Sequence, residues 1–280
     1  MMSSILRSES TRMKALLSTM TAMLMAASPL AQAASAPLPR ATAPDDVRAV
    51  SPALHDYAQR LLASEVWKRP GLAPRDRSLI TVAALVARNQ TAEMAFHMNL
   101  ALDNGVKASE ISETITHLAF YAGWGQAMAA VPVAREVFTQ RGVKAEDLPP
   151  VGGPRLPMNE AAEAQRAATV QTSVGPVSPG VVQYTGDVLF KDLWLRPALA
   201  PRDRSLVVVT ALIANGQVAQ MQFHLNRAMD NGLTQAEAGE MLSHLAFYVG
   251  WPNVFSAIPV AKTVFDGRPA QPPSVGPLRP

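Results

Sequence analysis

The sequence predicts an all-α protein made of two tandem copies of one helical domain. Residues 51–140 match residues 178–267 without gaps, 127 positions apart, so the chain carries an internal duplication. Each copy contains a long apolar stretch that follows a proline and has no internal turn signal, at 79–86 and at 206–213. A helix that is apolar all round is usually buried, so we expect these two helices to form the core.

The duplication is visible as matched strings of residues. The pairs are Ser51-Pro52 with Ser178-Pro179, Trp67 with Trp194, Arg75–Leu79 with Arg202–Leu206, His97 with His224, Asp103–Gly105 with Asp230–Gly232, His117–Tyr121 with His244–Tyr248, and Gly123-Trp124 with Gly250-Trp251. Residues 141–177 between the copies are rich in Pro, Gly and Ala, which predicts a linker with a short helix near 158–168. Residues 268–280 form a Pro-rich tail that we expect to be loose.

Local signals set the boundaries of the helices. A β-branched run at 207–210 could form a strand by itself, but the long apolar stretch that follows Pro201 favours a helix. One helix is expected to end at Asn104-Gly105, because glycine adopts the left-handed cap conformation readily. Thr234 and Glu237 have the spacing of a capping box, which predicts the start of another helix.

Composition excludes several classes of function. The 280 residues are 48% hydrophobic and 17% charged, as is typical of a packed globular protein. A net charge of +3 without any Lys/Arg run gives no support to a nucleic-acid partner. The absence of cysteine excludes disulfides and thiol redox chemistry. No HExxH or CxxC motif and no Asp-rich loop is present, so we do not predict a metal site.

The N-terminus predicts a signal peptide over residues 1–33. Three basic residues precede or flank an apolar stretch at 15–27, and Ala31-Gln32-Ala33 provides a small-x-small cleavage site. The apolar stretch is shorter than a comfortable membrane span. We therefore expect an exported protein, periplasmic or secreted, with no stable membrane span after cleavage. An uncleaved anchor is the alternative.

Two pairs of histidines occupy matched positions, His97 with His224 and His117 with His244. Glu93 lies four residues before His97 and therefore on the same helix face. A carboxylate there could orient the imidazole or raise its pKa for general acid–base chemistry. Gln220 occupies the matched position in the second copy, so we expect unequal sites, of which the first is the better one. Structural packing is the alternative role for these histidines.

Further polar candidates lie near the same motifs. Tyr121 and Tyr248 each follow a histidine by four residues and offer hydroxyl donors, although a purely structural Tyr–His hydrogen bond is the alternative. Arginine in the first turn of a helix is disfavoured by the helix dipole, which suggests a role elsewhere. Four arginines at such positions could bind a substrate carboxylate or form surface ion pairs: Arg75, Arg77, Arg202 and Arg204.

Together these residues resemble the carboxymuconolactone decarboxylase family. The resemblance rests on Trp67-x-Arg69-Pro70-Gly71-Leu72-x-Pro74-Arg75-Asp76-Arg77-Ser78-Leu79, Glu93-x-x-x-His97, Asn104-Gly105 and His117-Leu118-Ala119-x-Tyr121-x-Gly123-Trp124. It covers nearly all of both copies. It implies the all-helical fold shared with alkylhydroperoxidase-D-like proteins, and ring-shaped oligomers that are often hexamers of single domains. A fused two-domain chain would then form a homotrimer.

The resemblance also implies a cofactor-free lyase that removes carbon dioxide from a small carboxylated lactone or a related acid. Such a reaction needs a cation for the substrate carboxylates, a donor for the developing enolate oxygen and an acid for carbon. These roles would fall to Arg75 or Arg77, to Tyr121 or His117, and to His97, with their second-copy counterparts. Trp124 and Trp251 are further substrate-binding candidates.

Two other functions remain open at this point. A non-catalytic helical binding or scaffold protein could have kept the fold. Peroxidase activity like that of the redox relatives is disfavoured, because their Cys-x-x-Cys pair is replaced by Gln90 and Glu93. An open pocket joining Glu93, His97, His117 and Arg75 would favour the lyase, whereas closed burial of the histidines would favour the scaffold.

Overall fold

A computed structural model describes residues 43–269. The predicted signal peptide at 1–33 and most of the tail at 268–280 lie outside the described residues. Within 43–269 no helix is both long enough and apolar enough to cross a membrane.

Twelve α-helices make up the described part of the chain, and this part contains no strand. They are α1 Pro44–Val50, α2 Pro52–Asp56, α3 Pro74–Ala87, α4 Thr91–Asp103, α5 Ala108–Tyr121, α6 Trp124–Gln140, α7 Glu160–Val174, α8 Pro179–Tyr184, α9 Pro201–Ala214, α10 Met221–Asp230, α11 Gln235–Val249 and α12 Trp251–Asp266. Helices α2 and α8 each continue as a short π-helix, over Tyr57–Ala63 and Thr185–Phe190. The predicted all-α tandem duplication is confirmed.

The two central helices, α3 and α9, form the core. Each begins with a proline at its first turn, and each is buried from its third residue to its end, as the apolar pattern predicts. They pack against one another, and each also packs against a helix of the other copy: α3 against α11, and α9 against α5. The copies are therefore intertwined, and residues 43–269 belong to one compact unit.

The local signals act as expected. Gly105 and Gly232 follow α4 and α10 with φ values of +90° and +102°, a conformation that side chains with a Cβ rarely adopt. Thr234 Oγ1 accepts a hydrogen bond from the Glu237 N–H (3.1 Å), and the Glu237 carboxylate accepts one from the Thr234 N–H (2.8 Å). The predicted capping box at the start of α11 is confirmed.

The segment between the copies contains a longer helix than its composition suggests. Helix α7 spans 15 residues, Glu160–Val174, whereas the expected short helix lay near 158–168. Asn159 caps it by accepting a hydrogen bond from the Ala162 N–H at 3.1 Å. Just before it, the Leu156 N–H donates to the Leu195 carbonyl at 2.7 Å, so the segment is attached to the second copy.

An ion-pair cluster joins the first turns of α3 and α9 across the two copies. Arg75 Nη2 donates to Asp203 at 2.7 Å, and Arg202 Nη2 donates to Asp76 at 2.8 Å. The two carboxylates are 5% and 6% exposed, so each is shielded from water. Arg75 and Arg202 are candidates for substrate binding by sequence. In the structure both side chains form ion pairs in this cluster, which is the alternative role.

We expect Asp76→Asn to destabilise the fold by about 1.5–3 kcal/mol, because the amide weakens charged hydrogen bonds to Arg202 and Arg75. Chemical denaturation followed by circular dichroism measures this change. Asp45→Asn is the matched control, since its carboxylate is solvent-exposed beside Arg48. Equal effects of the two substitutions would show that the cluster contributes nothing specific.

Candidate functional site

The structure assembles two aromatic sites, and each takes residues from both copies. Site one consists of four residues: Trp67 and His97 from the first copy, with His244 and Tyr248 from the second. Site two is its counterpart: Trp194 and His224 from the second copy, with His117 and Tyr121 from the first. The exchange is reciprocal, as in an isologous contact between two related units.

A tryptophan lies at the centre of each site. In site one, the Trp67 ring stacks on His97 with centroids 5.9 Å apart and meets His244 edge-on at 5.1 Å. Its indole N–H donates to the Tyr248 hydroxyl at 2.8 Å, and in site two the Trp194 N–H donates to Tyr121 at the same distance. An indole nitrogen can only donate, so each tyrosine oxygen accepts this bond, and the tyrosine's own proton is not used in it.

A buried arginine orients the deeper histidine of site one. Arg77 is 0% exposed and donates to Glu240 at 2.8 Å. Its Nη1 lies 3.4 Å from His244 Nδ1, and Thr81 Oγ1 lies 2.8 Å from His244 Nε2. A guanidinium has only protons to offer, so His244 accepts at Nδ1 and carries its proton on Nε2, which donates to Thr81. Arg77, a candidate for binding a substrate carboxylate, therefore lies behind His244 and is paired with Glu240.

Site two repeats this arrangement with one partner missing. Arg204 is fully buried, donates to Glu113 at 2.8 Å and lies 3.2 Å from His117 Nδ1. Val208 occupies the position that corresponds to Thr81, so no hydroxyl faces the ring. His117 Nε2 is buried without a hydrogen-bond partner. The two sites therefore differ in chemistry although their aromatic frames match.

Burial keeps all four histidines neutral. Loss of hydration lowers the pKa of His97 and of His224 to about 4 and the pKa of His244 to about 3. The same cause lowers the pKa of His117 well below its usual value. These shifts run opposite to the one expected from a neighbouring carboxylate.

The expected pair between Glu93 and His97 is not formed. His97 Nδ1 is buried without a partner, and Glu93 makes no hydrogen bond or ion pair with it within residues 43–269. The negative charge of Glu93 acts instead on Tyr248, whose pKa burial already raises. The i,i+4 spacing places both side chains on one face, but burial decides the protonation state of the imidazole.

The tyrosines are held as proton donors. Burial raises the pKa of Tyr121 to about 12, against opposing effects of the Trp194 hydrogen bond and of nearby arginines. The pKa of Tyr248 is raised as well, chiefly by burial. Neither tyrosine is hydrogen-bonded to the histidine four residues before it: the His117 and Tyr121 rings stack instead, with centroids 5.0 Å apart.

Comparison of the sequence with known proteins identifies the family to which this chain belongs. Residues 52–136 and 179–263 both match the model described as the carboxymuconolactone decarboxylase family. The chain belongs to the carboxymuconolactone decarboxylase family. It is 38% identical over 91 residues to 4-carboxymuconolactone decarboxylase of Acinetobacter baylyi, an alignment that covers 32% of this chain and 68% of that protein. It is 33% identical over 81 residues to a nitrosuccinic acid decarboxylase of Metarhizium robertsii, covering 29% of this chain and 57% of that protein.

In this member of the carboxymuconolactone decarboxylase family, the residues predicted to form one site lie in several different parts of the structure. His97 and His117 lie in different sites, so no single pocket joins them with Glu93 and Arg75. Trp124 and Trp251 are 65% and 50% exposed, and their ring contacts are with Phe120 and Phe247. The structure therefore does not bring these two tryptophans to the histidines.

Other site residues were not singled out by sequence reasoning. Trp67 and Trp194 occupy matched positions in the sequence, but their central place in the sites depends on the packing of one copy against the other. Arg227 lies over the Trp194 ring, with its Cζ 4.2 Å from the ring centroid. Leu100 occupies the matched position in the first copy. Arg227 could have been found in the sequence, because a charged residue in one copy stands where the other copy has an apolar residue.

Two further features bear on ligands. No group of three His, Asp or Glu side chains that could hold a metal ion occurs among residues 43–269. A cavity of about 380 Å³ lies at the ends of α3 and α9, away from both sites, and is lined by Ala87, Arg88, Gln126, Ala214, Asn215 and Asn253. It is a shallow opening between the copies and does not contain the histidines.

The buried neutral histidines predict a pH-dependent stability. A histidine whose folded pKa lies below its unfolded value of about 6.5 binds a proton first in the unfolded chain, so stability falls as pH decreases from 7 toward 4. Between pH 7 and 5 we expect a loss of roughly 2 kcal/mol for each of His97 and His224. Thermal melts of the double variant His97→Gln/His224→Gln should show a flatter pH dependence.

His55→Gln serves as the control for this experiment, because His55 lies on the short helix α2 outside both sites. It should keep the pH dependence of the wild-type protein. An unchanged slope in the double variant would contradict the assignment of the effect to the two site histidines.

Proposed function

We propose that this protein is a cofactor-free carboxy-lyase that acts on a small carboxylated lactone or a related acid. The observation that carries the proposal is the same in both sites: a protonated phenol lies against a neutral imidazole in a place shielded from water. The ring centroids of Tyr248 and His97 are 5.4 Å apart, and those of Tyr121 and His224 are 5.2 Å apart. The names of both relatives, which are decarboxylases, support it. The predicted signal peptide suggests action outside the cytoplasm.

The chemistry needs only the groups of this chain. The bond to the carboxylate breaks, carbon dioxide leaves, and the electron pair moves into the neighbouring carbonyl to give an enolate. The tyrosine hydroxyl donates a hydrogen bond to that oxygen. An anionic substrate beside the imidazole raises the histidine pKa, so His97 or His224 gains a proton when the substrate binds and delivers it to carbon. The proton that His97 or His224 takes up comes from solvent, and the imidazole is neutral again once carbon has received it.

A non-catalytic binding or scaffold role is the second candidate, and closed burial of the histidines favours it. His117 and His244 are 0% exposed, and His97 and His224 are 8% exposed. A substrate can reach the His117 and His244 rings only if the surrounding helices move. A scaffold would need no such movement, since the aromatic sites would serve only to join the two copies.

Incubation of the purified chain with 4-carboxymuconolactone, with nitrosuccinate and with a cell metabolite extract tests the lyase. Mass spectrometry should detect the loss of 44 daltons from one compound. The double variant Tyr121→Phe/Tyr248→Phe should lower kcat by at least about a hundredfold, because the enolate loses its donor. Tyr57→Phe, on an exposed segment, should leave kcat unchanged. No turnover of any compound by the wild-type protein would favour the scaffold.

We also propose that the chain assembles into a homotrimer through apolar stripes on α6 and α12. Each stripe consists of three exposed side chains at helical spacing, and the two stripes occupy matched positions: Trp124, Met128 and Val131, and Trp251, Phe255 and Ile258. Exposed apolar patches of this kind mark protein contacts. A ring needs a contact surface on each copy, and the resemblance of each copy to a ring-forming domain makes a second chain the favoured partner.

Light scattering should give a mass of three chains for the wild-type protein. Met128→Glu/Phe255→Glu should lower the mass to that of one chain, because each charge would have to be buried in the contact. Leu54→Glu, an exposed position outside the stripes, should leave the trimer intact. A wild-type protein that is monomeric at micromolar concentration would contradict the proposed assembly.

A further inference from the structure

Two arginines flank site two, and one of them comes from the segment between the copies. Arg166 on α7 lies over the Phe190 ring, with its Cζ 4.1 Å from the ring centroid. Arg227 on α10 lies over the same ring at 5.6 Å and over the Trp194 ring at 4.2 Å. Phe190 in turn stacks on Trp194, with centroids 6.0 Å apart. The two guanidinium groups thus lie beside one continuous aromatic surface of site two.

Both guanidinium groups hold buried N–H groups that donate to nothing. The Arg166 side chain is 9% exposed; its Nε and Nη2 donate to Glu163 at 2.8 and 2.7 Å, while Nη1 has no partner. Arg227 Nε is buried without a partner, and Arg227 forms no ion pair within residues 43–269. Glu163 balances the charge of Arg166, so these three side chains carry one net positive charge, and one buried N–H group on each arginine has no acceptor. A buried donor without an acceptor is costly, which favours an anion at this place.

The positive charges face the reactive groups of site two. The charges of Arg227 and Arg166 both lower the pKa of Tyr121, opposing the effect of burial. The charge of Arg227 also lowers the pKa values of His117 and His224, which burial depresses first. The arginines are therefore within electrostatic reach of the same phenol and imidazoles that the proposed reaction uses.

Site one offers the opposite environment. Leu100 and Ala63 occupy the positions that correspond to Arg227 and Phe190. The acidic Glu93 acts on Tyr248 there. Its remaining arginine, Arg77, is occupied by Glu240 at 2.8 Å and by a backbone carbonyl at 2.6 Å. Site one therefore has no unpaired cation among its described neighbours, whereas at site two Glu163 pairs with Arg166 and Arg227 has no ion pair within residues 43–269.

We propose that Arg166 and Arg227 bind a carboxylate group of a small organic acid, so that site two is the anion-binding site of this chain. The open N–H groups of the two arginines would donate to the carboxylate oxygens, and the aromatic surface would pack against the apolar part of the ligand. Helix α7, which belongs to neither copy, thereby supplies one of the ligand-binding side chains. This assignment rests on the proposed function only for the fate of the ligand after it binds.

A purely structural role for the arginines is the competing explanation. Guanidinium groups over aromatic rings are stabilising without any ligand. That role predicts that replacing Arg227 changes stability and leaves ligand affinity unaffected. The anion site predicts a loss of affinity for charged ligands that does not extend to neutral ligands of the same shape.

Isothermal titration calorimetry of the full chain with acetate, succinate, benzoate and cis,cis-muconate tests the site, with succinamide as the neutral counterpart of succinate. We expect at least one of the acids to bind saturably with one site per chain, and succinamide to bind at least tenfold more weakly. Arg227→Leu introduces the residue found at Leu100 and should weaken binding of the acid at least about tenfold. Arg141→Leu, which removes a partly exposed arginine of the first copy, should leave the affinity unchanged.

A second variant tests the same site independently, in case Arg227→Leu does not fold. Arg166→Gln keeps a polar side chain at the end of the same aromatic surface, and it should also weaken acid binding at least about tenfold. Thermal melts without ligand show whether each variant is folded. The inference is overturned if none of the four acids binds the wild-type protein, or if folded Arg227→Leu and Arg166→Gln both bind as tightly as the wild type.

Calorimetry measures binding without turnover, so failure of the proposed anion site can be distinguished from failure of the proposed lyase activity. Acid binding that depends on Arg227, in a protein that decarboxylates nothing, would leave the anion site standing and remove the lyase. Decarboxylation that survives in Arg227→Leu, with no carboxylate binding at site two, would keep the lyase and overturn the anion site.

Discussion

The structure depends on two buried ion pairs that cross between the copies. Arg77 of the first copy pairs with Glu240 of the second, and Arg204 of the second pairs with Glu113 of the first, each at 2.8 Å. A fully buried guanidinium without its carboxylate costs several kcal/mol, so neither copy can satisfy its own central helix. Each pair also lies behind a histidine, and one requirement therefore fixes both the fold and the geometry of the sites.

Fusion of the copies allows the two sites to differ. In a symmetric pair of identical domains, every residue of one site would recur in the other. Here Thr81 satisfies His244, whereas Val208 leaves His117 without a partner at Nε2. Arg227 replaces an apolar residue at site two alone. The shared aromatic frame supplies the same phenol and imidazole twice, and the surrounding charges give each pair a different electrostatic environment.

The elements of the fold could be predicted from sequence because their signals are local or repeated. The β-branched run at 207–210 lies inside helix α9, as the preceding proline and the apolar length suggested. The site could be predicted only in part. Spacing along one helix shows which residues share a face of that helix, but it does not show which residues of other helices they contact. His97 on α4 contacts Tyr248 on α11, about 150 residues away in the chain, and this contact depends on how the second copy packs against the first. Burial then reversed the pKa shift expected from Glu93.

Helix α7 also connects the copies covalently. Sites shared between separate domains exist only while the domains are associated, so dissociation of the domains on dilution would abolish these sites. With a connecting segment of a few tens of residues, the second copy is held near the first at an effective concentration in the millimolar range, whatever the concentration of the protein. At high dilution, the composite sites would then persist where free subunits would have separated.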